Sequence, residues 1–177
     1  LPFCCAHILD DKEQQSRCID AMKAFNAPHS VMLLEIDAVN MYDTAAENMG
    51  KVFISTELGG GGSTTAYTVE IAKKGIRNLL RHAGICKGDL EISETLNLDM
   101  PDRRCYIFSE TTGLVEHCVD LGDSVKEGQL IAKVHNIERT GVAPVEYFAG
   151  IDGIYTGRHY PGLVVNGDFL GVVAVPV

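Results

Sequence analysis

Lys51-Val52-Phe53-Ile54-Ser55-Thr56-Glu57-Leu58-Gly59-Gly60-Gly61-Gly62-Ser63 decides how this sequence is read. The apolar, β-branched run over 51–58 predicts a buried strand. It carries one carboxylate, Glu57, to its far end. Four glycines follow, and Thr64-Thr65 then open a long helical pattern. In open α/β sheets ligands bind beyond the carboxyl ends of strands. Glu57 is therefore expected to lie where chemistry takes place.

Outward from this stretch, the same alternation of strands and helices continues. Residues 3–9 predict a short apolar strand. Asp10 with Glu13 resembles a capping box that opens a helix over 11–25, whose apolar positions Cys18, Ala21, Met22 and Phe25 fall at helical spacing. Asn26-Ala27-Pro28 ends it. Val31 to Asp37 is a second, nearly continuous apolar strand, as in a parallel sheet covered on both faces. Asp43–Met49 predicts a short helical turn. Over Thr65–His82, Val69, Ala72, Ile76, Leu79, Leu80 and Ala83 form one apolar stripe, with Gly84 as the stop. Such an order is an α/β signature. The opening Leu1–Leu9 has no signal-peptide pattern and reads as a strand already under way, so the chain is expected to begin inside a domain.

Residues 87–102, polar and ending in Met100-Pro101-Asp102, are expected to be a linker. After it come short β runs separated by glycines. Val125, Gly128, Leu130 and Ile131 align with Val164, Gly167, Phe169 and Leu170, a weak duplication of one small β unit. The expected organisation is thus an α/β segment over 1–98 and a small all-β domain over 99–177.

Composition narrows the function classes. A formal charge of −9 without any Lys/Arg block argues against a nucleic-acid or anionic-membrane surface. No apolar run approaches the roughly 18 residues of a membrane helix. Six scattered cysteines with no Cys-x-x-Cys pair suit reduced thiols in a cytoplasmic protein.

Two blocks carry a resemblance. The tail is similar to the barrel-sandwich hybrid of lipoyl and biotinyl domains, whose halves each hold a Gly-Asp-x-Val-x-x-Gly-x-x-Leu element like that at 122–131. The front, with Leu33-Leu34-Glu35-Ile36-Asp37, Tyr42-Asp43-Thr44-Ala45-Ala46-Glu47 and Ser55-Thr56-Glu57-Leu58 before the glycines, resembles the succinylglutamate desuccinylase/aspartoacylase family. Its nearest branch includes the N-acetyl-diaminobutyrate deacetylases. The resemblance implies part of a zinc-carboxypeptidase-like α/β domain with a mixed or parallel sheet, followed by the β tail. It implies a zinc-dependent amidohydrolase acting on a small N-acyl amino acid, with Glu57 matching the general base. The family holds zinc with a His-x-x-Glu pair and a later His. No such pair occurs in residues 1–98, so those ligands are expected upstream of Leu1, in an N-terminal half of the same enzyme. By itself the chain would then lack its metal ligands and be inactive.

Other readings compete with these. Glu57 could equally cap the next helix, since anions are stabilised at helix N-termini. The tetraglycine lacks the Gly-Lys-Ser/Thr ending of a phosphate loop. Tyr42, in a stretch between strands, is a candidate for hydrogen-bonding substrate, and Gly59 and Gly60 for close approach of substrate to backbone. Asp37, His7, His29 and His159 are more economically read as structural residues. A carrier role is disfavoured because 135–148 contains no lysine. A non-catalytic binding or assembly module, and a homo-oligomer, remain open.

Overall fold

The computed structural model describes residues 1–33 and 41–177. Asp37 and the second half of the apolar run at 31–37 lie outside the described residues. The chain divides into two compact units, Pro2–Asp99 with Val177, and Met100–Pro176 with Leu1.

In the first unit β1 (Phe3–His7) leads through α1 (Lys12–Phe25) to β2 (His29–Leu33). Then come α2 (Tyr42–Asn48), β3 (Ser55–Glu57), α3 (Ala66–His82) and β4 (Leu96–Asp99). The sheet order is β3-β1-β2-β4. β1, β2 and β4 are parallel, whereas β3 is antiparallel to β1. Cys4 and Ala6 of β1 pack with Cys18, Met22 and Phe25 of α1 and Ile71 of α3. Successive strand residues alternate between faces, so Phe3, Cys5 and His7 point to the opposite side.

Three expectations are corrected here. Asp11, one residue later than expected, caps α1, accepting from the backbone N–H of Glu13 and Gln14. The run at 51–58 is not a buried central strand; only Ser55–Glu57 pairs, at the sheet edge, and Val52 is half exposed. Composition reports that a segment suits a strand, but partners elsewhere in the chain decide whether it sits in the middle or at the rim. The polar stretch 87–102 is not simply a linker either. Asn78, fully buried on α3, donates to the Glu91 carbonyl and accepts from the Glu91 N–H. Asn26, the left-handed cap of α1, accepts from Lys74 and from the Ser93 N–H. These polar staples hold 87–95 against α3 and deliver the chain into β4. Hydrophobic periodicity cannot register them.

The α3 stripe also divides differently from the expectation. Ile71, Gly75 and Asn78 form the buried line, while Val69 and Ile76 are exposed. Gly75 explains the choice of face: a Cβ there would lie 2.3 Å from the Phe25 ring. Gly75→Ala is therefore expected to lower stability by about 1–3 kcal/mol through overpacking, despite a helix-propensity gain of about 1 kcal/mol. Thermal unfolding checks this, and Phe25→Leu should recover part of the loss in the double variant.

In the second unit all regular elements are strands apart from a 3-10 turn at Arg103–Cys105. They are β5 (Tyr106–Phe108), β6 (Gly113–His117), β7 (Ser124–Val125), β8 (Leu130–His135), β9 (Val145–Phe148), β10 (Gly153–Arg158), β11 (Leu163–Val164) and β12 (Phe169–Pro176). The two-residue strands are exchanged between the repeats: β7 of the first pairs with β10 of the second, and β11 of the second with β6 of the first. Val125 and Val164, like Ile131 and Leu170, are buried in one shared core around Tyr155. Each repeat thus completes the other's sheet, which is why neither could bury its apolar residues alone.

His117 on β6 is held below the ordinary imidazole range, first by burial and then by the Arg158 charge. Its Nδ1 has no hydrogen-bond partner. The unfolded chain therefore binds a proton here more readily than the folded one. Stability from this residue is complete above about pH 6.5 and falls as the pH drops below it, until the folded form is protonated as well. Denaturant midpoints of the second unit between pH 7 and 5 should fall less steeply in His117→Phe than in the native sequence.

Candidate active site

β3 is short because the tetraglycine cuts it off. Gly61 and Gly62 both have φ of +66°, a left-handed turn that other residues adopt only with strain. Gly59 and Gly60 are not held by that constraint; a Cβ on Gly59 would make ordinary contacts and one on Gly60 would meet open space. Beyond the turn, α3 opens with a reciprocal cap. Thr65 Oγ1 accepts from the Thr68 N–H at 3.1 Å, and Thr68 Oγ1 accepts from the Thr65 N–H at 3.1 Å. The helix start is therefore served by its own threonines. The capping role considered for Glu57 is taken.

Glu57 ends β3 opposite Phe3, and strand alternation places its side chain on the same face as Ser55. Ser55 Oγ lies 2.9 Å from Cys5 Sγ. Burial pushes the Cys5 thiol up, partly opposed by Ser55, and the Glu57 charge adds to the rise. Cys5 thus stays a protonated thiol beside the carboxylate and is no nucleophile. The Glu57 carboxylate is exposed and makes no hydrogen bond or ion pair among the described residues.

Because β3 runs antiparallel to β1, Glu57 sits level with the start of β1. The sequence argument put it in a crevice at the carboxyl ends of parallel strands. It lies instead at the opposite end from the carboxyl ends of β1 and β2. Tyr42 is placed at the other end. It begins α2, is 72% exposed, and meets the Phe53 ring edge-on at 5.7 Å between centroids. Phe53 in turn stacks on His7, the last residue of β1. Glu57 lies four positions after Phe53, about 13 Å of extended chain. Tyr42 and Glu57 are not brought into contact among the described residues.

His7 is a residue whose importance the sequence did not reveal. Its Nδ1 lies 2.9 Å from Glu47 Oε1 on α2, with both side chains buried. Gln14 of α1 adds two hydrogen bonds, from Nε2 to the carbonyls of Glu47 and Lys51. Strand, both helices and the approach to β3 are thereby tied at one point. The only hint in the sequence is a histidine ending an apolar strand.

Gly59 and Gly60 line a groove of about 480 Å³ together with Leu58, Thr68, Val69 and Ala72. Glu57 is not among its lining residues.

Among the described residues no three His, Cys, Asp or Glu side chains gather as a metal site. One His-x-x-Glu spacing does occur in the tail, His135-Asn136-Ile137-Glu138, and is easily missed beside the α/β segment. It is not built for a metal. His135 Nε2 lies 2.6 Å from Glu116 across the sheet, and the Asn136 side chain accepts from the N–H groups of Glu138 and Arg139. No described donor set in this chain fits zinc.

Comparison with known proteins agrees with this layout. Residues 1–83 match the succinylglutamate desuccinylase/aspartoacylase catalytic domain. The chain is 48% identical to N-alpha-acetyl-L-2,4-diaminobutyric acid deacetylase of Halomonas elongata, covering 98% of this chain and 52% of that protein. It superposes on the product-bound ectoine utilization protein EutE (DoeB) from Ruegeria pomeroyi with a TM-score of 0.94 and 56% identity, over 99% of this chain and 53% of the other. A succinylglutamate desuccinylase from Silicibacter sp. TM1040 gives 0.91 and 54%, over 100% and 54%. The chain spans about half the length of these relatives. No helix among the described residues is long and apolar enough to cross a membrane. Residues 1–83 thus carry the match to that catalytic domain, and the chain corresponds to the C-terminal half of the deacetylase it matches.

Proposed function

We propose that this chain is the C-terminal portion of a zinc-dependent amidohydrolase that cleaves a small N-acyl amino acid, such as N-acetyl-diaminobutyrate, with Glu57 as general base. The observation that carries the role of Glu57 is its freedom. It ends a strand, no described residue pairs with its carboxylate, and the helix N-terminus beside it is capped by Thr65 and Thr68. A carboxylate left unpaired on a rigid element can accept a proton from an attacking water and return it to a departing amine. The substrate class is supported by the likeness to the Halomonas elongata deacetylase. Zinc would supply Lewis-acid chemistry when bound, and no donor set among the described residues gathers to hold it.

Further parts of the reading stand beside this one. The tail is a barrel-sandwich domain of lipoyl type, supported by the exchanged short strands. Gly59 and Gly60 admit substrate near backbone, supported by the groove they line. Tyr42, exposed at the start of α2, is read as a hydrogen-bonding group for substrate. The cytoplasm is supported by six cysteines that form no disulfide among the described residues, four of them buried. A non-catalytic assembly role is the second reading, since no three His, Cys, Asp or Glu side chains gather as a metal site among the described residues.

The test is turnover by the product of the complete reading frame, supplied with zinc, on N-acetyl-diaminobutyrate, N-succinylglutamate and N-acetylaspartate. Release of free amine from one of them supports the hydrolase. No release from any of them, in a folded and metal-loaded protein, overturns it in favour of the assembly role.

A further inference from the structure

The strand that carries Glu57 is joined to its neighbour by few directional contacts. β3 pairs with β1 at three positions only, with Glu57 opposite Phe3 and Ser55 opposite Cys5. The tetraglycine beyond it offers no side chain to hold it. Ile54 and Leu58 pack on the apolar cluster of β1, α1 and α3, but apolar burial is non-directional. A slip of two residues would keep every side chain on its own face and carry Glu57 roughly 7 Å along β1. Two side-chain contacts on the other face stand against such a slip. Ser55 Oγ lies 2.9 Å from Cys5 Sγ. Phe53 stacks on His7, with ring centroids 6.4 Å apart and ring planes at 23°. His7 with Phe53 is the next pair in the register that sets Phe3 against Glu57 and Cys5 against Ser55. The match thus continues in side chains where the backbone ladder has stopped.

The His7 ring is itself fixed. Its Nδ1 lies 2.9 Å from Glu47 Oε1 with both side chains buried, so the carboxylate sets the plane of the imidazole. Tyr42, on the same helix as Glu47, meets Phe53 from another side, edge-on at 5.7 Å. Gln14 Nε2 donates to the Lys51 carbonyl and anchors the start of the same segment. We infer that His7, oriented by Glu47 and acting through Phe53, is a positioning residue for Glu57: it locks the register of β3 and so sets where the carboxylate stands. This rests on the reading of Glu57 as general base. Proton transfer needs the base within hydrogen-bond reach of the water, and a misplacement of about 1 Å can cost about a hundredfold in rate. A pair that served only to join α2 to β1 would not need an aromatic ring stacked on it in register with the strand of the base.

The test uses the product of the complete reading frame, supplied with zinc. Phe53→Ala removes the stacked ring and leaves the buried His7–Glu47 pair in place. His7→Asn keeps a side-chain nitrogen for Glu47 but lacks the ring face. Each should lower kcat on N-acetyl-diaminobutyrate about tenfold to a hundredfold, with KM within about twofold of native. Phe53→Tyr restores the ring and should bring kcat back to within about threefold. In a Glu57→Gln background Phe53→Ala and His7→Asn should change kcat by less than about threefold, since no carboxylate is left to position. Amide exchange over 55–57 should quicken about tenfold or more in Phe53→Ala, while that of β2 stays native. Native kcat in Phe53→Ala overturns the inference, as does a loss of kcat that is equal with and without Glu57. Unchanged exchange over 55–57 overturns it too. Native turnover in Glu57→Gln would remove the base instead, and the exchange rates alone would then decide whether His7 locks β3.

Discussion

Glu57→Gln is expected to lower kcat of the assembled enzyme by roughly two to four orders of magnitude while leaving KM nearly unchanged. The amide keeps the shape and hydrogen-bonding reach of the carboxylate but cannot accept a proton. Substrate should therefore bind as before while the water is no longer deprotonated as it attacks. Stability should not change, because Glu57 is exposed and pairs with no described residue, so a lost turnover cannot be blamed on unfolding. Steady-state kinetics on N-acetyl-diaminobutyrate, with thermal unfolding in parallel, makes the check. Wild-type kcat in the variant would remove Glu57 from the reaction. A lowered melting temperature with proportional loss of activity would make it a structural residue instead.

The second large effect concerns the buried knot at His7. Glu47→Ala should destabilise the first unit by about 3 kcal/mol, because the imidazole is left in a buried site without its carboxylate. Glu47→Gln keeps an oxygen and a shape that can still meet His7 Nδ1, and should lose no more than about 1.5 kcal/mol. The difference between the two variants isolates the hydrogen bond from the cavity. Urea unfolding followed by a probe in the first unit reads both; a native midpoint in Glu47→Ala would show that the pair contributes nothing. The same variant should loosen α2, which is also held by Gln14 at the Glu47 carbonyl and by the contact of Tyr42 with Phe53, itself stacked on His7.

Much of the α/β part was legible because its signals are local. Helices α1 and α3 follow from apolar spacing and from punctuation at Asn26 and Gly84. The repeat in the tail follows from matched Val, Gly and Leu or Ile positions. What misled was every feature whose meaning depends on a distant partner. Val69 and Ile76 look like core residues, but Gly75 gives α1 its closest approach and turns the buried line toward Phe25. The stretch 87–95 looks like a linker, because its attachments are made by Asn26 and Asn78, single polar side chains that leave no periodic trace.

The sequence by itself determined the resemblance to the family, the order of strands and helices, and the presence of one carboxylate between a strand and a glycine turn. These depend on residue type and spacing along the chain, which periodicity and turn chemistry report directly. Only the tertiary structure decided that β3 is an antiparallel edge strand, that Glu57 stands at the opposite end of the sheet from Tyr42, and that threonines rather than Glu57 cap α3. Strand direction and edge position arise from hydrogen bonds between segments some fifty residues apart, as between Cys5 and Ser55, and no local pattern encodes them.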